Sequence, residues 1–87
     1  MAEQRDEILD EYVELVQFMA SSLLEDDVEI EVRGHADRDP WRIDLHVPEE
    51  HRGRVIGRGG RIARAMRTLI DNSGIAYHDP VVLDIVD

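Results

Sequence analysis

The chain has 87 residues, 43% hydrophobic and 34% charged, a balance that supports one hydrophobic core and excludes intrinsic disorder. It contains no cysteine, which excludes a disulfide framework or a thiolate metal site. The formal net charge of −10 argues against a phosphate-binding surface only if the charge is evenly spread, and it is not.

Residues 5–24 place Ile8, Leu9, Tyr12, Val13, Leu15, Val16, Met19, Leu23 and Leu24 close to the i, i+3, i+4, i+7 template, which predicts an amphipathic helix with Tyr12, Phe18 and Met19 in the core. Val28-Glu29-Ile30-Glu31-Val32 alternates strictly and predicts a strand, ended by a turn cluster from Gly34 to Pro40. Ile43-Asp44-Leu45-His46-Val47 alternates again and predicts a second strand paired with the first. Trp41, just ahead of it, is expected to pack on the sheet or at a subunit contact.

Pro48-Glu49-Glu50 suits a helix N-terminus, so a short helix is expected over 48–56. Glycines at 57, 59 and 60 break it, and a further helix is expected over 60–72, with Ile62, Met66, Leu69 and Ile70 facing the core and Arg61, Arg64 and Arg67 on the other side. Asn72-Ser73-Gly74 reads as its stop. Val81 to Val86 is an almost continuous apolar run, which predicts a strand buried on both faces. The expected fold is therefore α+β, a single domain over 1–87 in the order α-β-β-α-α-β, with three helices covering a three-stranded sheet.

The charge concentrates in one place. All ten basic residues are Arg, and six of them (Arg52, Arg54, Arg58, Arg61, Arg64 and Arg67) fall between His51 and Ile70, where there is no Asp or Glu. The rest of the chain sets four Arg against twenty acids. Within the basic stretch, Gly57-Arg58-Gly59-Gly60 forms a turn between two helices. Glycine lets a polynucleotide backbone approach protein backbone closely, Arg58 keeps a positive charge in the turn, and the following helix begins with free N–H groups that favour phosphate. Arg67 is the member of the set most readily assigned a structural role.

Val55-Ile56-Gly57-Arg58-Gly59-Gly60-Arg61-Ile62 resembles the KH signature, in which an apolar pair precedes a Gly-x-x-Gly loop and an isoleucine follows it. With the element order, the chain resembles a type II KH domain and, more closely, the bacterial KhpA family of small KH-domain RNA-binding proteins. The resemblance runs from the Glu-rich first helix to the terminal Val-Leu-Asp-Ile-Val. It implies that Gly57, Arg58, Gly59 and Gly60 contact the sugar-phosphate backbone of single-stranded RNA, with flanking charge from Arg54, Arg61 and Arg64. It also implies a groove floor drawn from Val55, Ile56, Ile62 and the last strand, with Tyr77 and His78 beside it. The implied role is that of an RNA chaperone or post-transcriptional regulator linked to cell elongation and cell-envelope homeostasis, acting as a homodimer or paired with a larger KH-containing protein of the KhpB type. This chain departs from the family in having no Lys and an unusually acidic body.

Enzymatic readings find little support. Ser21, Ser22 and Ser73 lie in no nucleophile motif, and the glycine loop lacks the Lys-Ser/Thr ending of a nucleotide-hydrolysing P-loop. His35, His46, His51 and His78 have no metal-ligand spacing, and no cofactor or small-molecule substrate is implied. The acidic N-terminus and the short uncharged stretch at 15–24 predict a cytoplasmic protein with no membrane association. The alternative function is a dimerising protein-interaction module with weak or no RNA binding.

Overall fold

The computed structural model describes residues 2–75, 77 and 79–86, and for residues 2–6 the backbone alone. The order of elements is the expected one: α1 (Ala2–Leu23), β1 (Glu31–His35), β2 (Trp41–His46), α2 (Glu49–Ile56), a 3-10 turn (Arg58–Gly60), α3 (Arg61–Asp71) and β3 (Val81–Val86).

Tyr12, Val16 and Ala20 of α1, and Leu24 just past its end, follow one another at i+4 spacing and are all buried, forming the stripe laid on the sheet. Phe18 corrects the expectation that it is core, because it is 71% exposed. Two residues on from Val16 turns the helix by about 200°, so Phe18 points away from the buried stripe.

The sheet runs β1-β2-β3, with β1 and β2 antiparallel and β2 and β3 parallel. The parallel pair needs a crossover, which α2 and α3 supply. The central strand sends Trp41, Ile43 and Leu45 inward, each at most 1% exposed, while Arg42, Asp44 and His46 face outward at half-burial. Val55, Met66, Ile70 and Leu83 complete the core between helices and sheet.

Three expectations about the strands change. β1 lies three residues later than the alternation at 28–32 suggested, because its pairing with β2 runs from Glu31↔His46 to His35↔Arg42. Val28 and Ile30 still pack against the core, so the alternation reported burial rather than pairing. Gly34 belongs to the strand instead of a turn, and a Cβ there would lie 2.8 Å from Leu9 of α1, so glycine is what lets the helix settle on β1. β2 begins two residues before 43, taking Trp41 into the sheet, where it packs as expected.

β3 is not buried on both faces. It ends the sheet, only Leu83 is fully buried, and Val82 is 42% exposed. Its register puts Val82, Asp84 and Val86 beside Arg42, Asp44 and His46, on the face the helices leave open. On that face Arg42 donates from Nε to Asp44 at 2.7 Å and from Nη2 to Asp84, and His35 Nε2 lies 3.1 Å from Asp44. Burial alone would raise the pKa of Asp44, but its bond to Arg42, the charge of Arg42 and the bond to His35 together hold it below the ordinary carboxylate value.

Leu69 is a further correction. It was expected in the core of α3, where Ala63, Met66 and Ile70 are buried, but it is 56% exposed. It shares a flank of the helix with Ile62 and Ala65, and with Phe18, Met19 and Leu23 these line an almost wholly apolar groove between α1 and α3.

Candidate nucleic-acid interface

The two helices of the crossover meet at the glycine loop. Glu49 and Glu50 occupy the first turn of α2 and Arg54 the last, the arrangement that complements the helix dipole. The acids therefore stand about 12 Å from the loop, the length of an eight-residue helix. The Gly57 N–H closes α2 by donating to the Gly53 carbonyl at 2.8 Å, and the Gly60 N–H donates to the Gly57 carbonyl at 3.0 Å. Arg64, one turn into α3, reaches back and donates from Nη1 to the Gly59 carbonyl at 2.7 Å. The loop is thus tied at both ends and strapped across its middle.

Its backbone is one that only glycine adopts readily, with φ of 77°, 64° and 76° at Gly57, Gly59 and Gly60. The three play different parts. A Cβ at Gly57 would lie 2.6 Å from Ile62 Cγ1, so this glycine allows the isoleucine to pack on the turn. A Cβ at Gly60 would meet Arg64 Nη1 at 3.3 Å, whereas at Gly59 it would meet nothing within 4 Å. Gly59 is the open rim of the loop.

Arg58, between them, is exposed, as are Arg54, Arg61 and Arg64. Among the described residues, Arg54, Arg58 and Arg61 have no carboxylate within ion-pair distance, while Arg33 and Arg42 are paired with acids elsewhere. The first turn of α3 carries no acid and no side-chain cap; the Arg61 N–H donates to the Arg58 carbonyl, and the N–H groups that follow it, with the Arg61 side chain, form the positive end of that helix. The other two arginines of the stretch hold the fold: Arg52 donates from Nε to the Val47 carbonyl at 3.4 Å, and Arg67 donates from Nε and Nη2 to the Leu83 carbonyl at 3.3 and 3.1 Å.

Of the aliphatic residues expected to floor a groove, Ile56 and Ile62 are half-buried beside the loop. Val55 is corrected: it is 0% exposed and belongs to the core, so it supports the end of α2 from beneath and offers no side chain to a ligand. Tyr77 is engaged in an aromatic stack, its ring 3.8 Å from that of Trp41 at 12° and edge-on to Tyr12 at 6.3 Å. His78 lies outside the described residues.

Two features of the surface were not singled out by the sequence pattern. One is the apolar groove between α1 and α3, whose signal was Phe18 falling on the face opposite Val16. The other is the division of α3 into unlike flanks, with Ile62, Ala65 and Leu69 on the side of α1 and Arg64 and Arg67 on the side of the loop and β3. Among the described residues no three His, Asp or Glu are grouped so as to hold a metal ion, and no helix is long and apolar enough to cross a membrane.

Comparison with known proteins agrees with this architecture. Residues 13–85 match the family described as KhpA/KhpB, KH domain. The chain is 34% identical to the RNA-binding protein KhpA of Clostridium perfringens, over 84% of this chain and 97% of that one. It is 36% identical to the protein of the same description from Treponema pallidum, over 85% and 92%, and 42% identical to that of Mycobacterium bovis, over 77% and 95%. No solved structure matches significantly.

Proposed function

Because the chain belongs to the KhpA/KhpB family of KH domains, a family of binding domains and not of enzymes, we propose that it grips single-stranded RNA through the loop at 57–60. The observation that carries this reading is Arg58, exposed and without an acidic partner among the described residues, held between positive-φ glycines in a loop that is already strapped. Relatives bearing the description RNA-binding protein support it. Gly57, Gly59 and Gly60 bring protein backbone to the sugar-phosphate chain, Arg58 meets its charge, and Arg54, Arg61 and Arg64 extend the positive field. Ile56 and Ile62 give the aliphatic surface on which bases lie, in a site that holds about four nucleotides.

Fluorescence anisotropy with short single-stranded RNAs tests this. Neutralising about four phosphates predicts an affinity loss of roughly 50-fold between 50 and 200 mM salt. Arg58→Asp, at an exposed position, is expected to weaken every RNA at least tenfold while leaving the melting temperature unchanged. Salt-independent binding, or Arg58→Asp binding as the parent does, would refute the assignment.

The finer role that accompanies the family, an RNA chaperone or regulator tied to cell elongation and envelope homeostasis, is proposed on that kinship alone. Pairing is proposed on a separate observation. The groove at Phe18 and Leu69 is an apolar surface on an otherwise charged chain, and a second copy, or the KH domain of a KhpB-type partner, would cover it. A dimerising module without RNA binding would use the same groove and leave the arginines idle.

A further inference from the structure

Arg67, besides tying α3 to β3, has its guanidinium fixed in one orientation. Its Nε and Nη2 both donate to one acceptor, the carbonyl of Leu83, which fixes the plane of the guanidinium against β3 although the side chain is exposed. That contact uses the side of the group bearing Nε. The end of the group, where Nη1 and Nη2 each project an N–H in parallel, is committed to no acceptor among the described residues. A guanidinium presents its donors as a rigid fork, and here the fork is oriented by backbone before any ligand arrives.

Its position gives the fork a purpose. Arg67 is seven residues beyond Gly60, about 10 Å along α3. It lies on the flank shared with Arg64, which straps the loop, and it faces the terminal strand of the sheet. A strand of RNA clamped at the loop and running along this flank brings a base, and not only phosphate, to Arg67 within the span of about four nucleotides. A parallel pair of donors matches two adjacent acceptors on a base edge. Guanine offers O6 and N7, whereas adenine places an amino donor where O6 would be.

We infer that Arg67, oriented by the Leu83 carbonyl, is a base-reading residue that selects guanine two helical turns from the loop, an inference that rests on the RNA-binding reading above. The measurement is a ratio: anisotropy titrations of an oligoadenylate carrying one guanine, against the same oligomer with adenine, 7-deazaguanine or cytosine in that place. The guanine is walked along the oligomer to find its register. The parent protein is expected to prefer guanine about tenfold over adenine and over 7-deazaguanine, which lacks N7.

Arg67→Lys keeps the charge and loses the fork, so affinity for the guanine oligomer is expected to fall about tenfold, to that of the adenine oligomer, whose own affinity changes little, and the ratio goes to about one. Arg67→Gln is measured alongside, and because both RNAs are titrated against one preparation, partial unfolding of a variant cancels from the ratio. A guanine preference that survives in Arg67→Lys, equal binding of 7-deazaguanine, or a preference for cytosine over guanine each overturns the assignment. So does a uniform loss across all RNAs, which marks a phosphate contact. A parent chain that binds none of these oligomers overturns the RNA-binding reading and this one with it, whereas salt-dependent and Arg58-dependent binding without base preference overturns the role of Arg67 alone.

Discussion

The glycines of the loop look equivalent in the sequence and are not equivalent in the molecule. Gly57 combines a φ of 77° and ψ of 169° with a neighbour, Ile62, that leaves no room for a methyl group. Gly57→Ala is expected to destabilise the fold by about 2–4 kcal/mol, from backbone strain and overpacking together, read from urea denaturation. Gly59 lies in the left-handed helical region with open space around it, a conformation that Asn tolerates, so Gly59→Asn is expected to cost less than about 1 kcal/mol. Equal losses in the two variants would contradict this division. That the turn existed was legible from its glycines. Which glycine serves packing and which serves the rim depended on where Ile62 came to rest, a tertiary fact invisible in the letters. The same holds for Val55, since the apolar pair it forms with Ile56 suits a groove floor or a core equally well.

At the scale of elements, helices were easier to read than strands because their period ties each residue to neighbours three and four away, while a strand is defined by its partner. The short helix expected over 48–56 is found one residue shorter, at 49–56, and the strand over 81–86 where expected, but β1 was displaced because the apolar alternation began before β2 offered anything to pair with. β3 read as doubly buried since its composition is that of a central strand, yet the chain places it at the edge. Its outer face joins the ion pairs of Arg42 with Asp44 and Asp84. Asp44 titrates below its unfolded value, so its contribution to stability is complete above about pH 4 and is lost as the pH falls through the folded pKa. Asp44→Asn removes that proton-linked part. Melting curves between about pH 2 and 6 are expected to decline less steeply with acid in the variant than in the parent, and parallel slopes would show that Arg42 and His35 do not hold the carboxylate charged.

For the whole molecule, the net charge of −10 is an average over two unlike regions. The fold collects the acid-free stretch onto the loop and one side of α3, and leaves the acids on α1, the outer sheet and the far ends of the crossover helices. This separation was legible as a run in the sequence, since a helix-turn-helix segment stays together in space. The apolar groove was not, because it joins residues of α1 and α3 about fifty positions apart. Phe18→Glu and Leu69→Glu are expected to convert a dimer to a monomer in sedimentation equilibrium without lowering the melting temperature, as both side chains are already exposed in the single chain. A parent that sediments as a monomer at tens of micromolar would refute self-association through this groove.

The strap from Arg64 to the Gly59 carbonyl also bears on kinetics. On the proposed reading, a loop closed before RNA arrives has no ordering step to complete after encounter, so the configurational freedom lost on binding is chiefly that of the polynucleotide. Arrival is then governed by the field of the arginines and slows as counterions screen it, while residence depends on the short-range contacts made once the strand is seated. Cutting the strap with Arg64→Gln shifts part of that ordering onto the protein, and the expected trace in stopped-flow records is a slower approach to the same bound state.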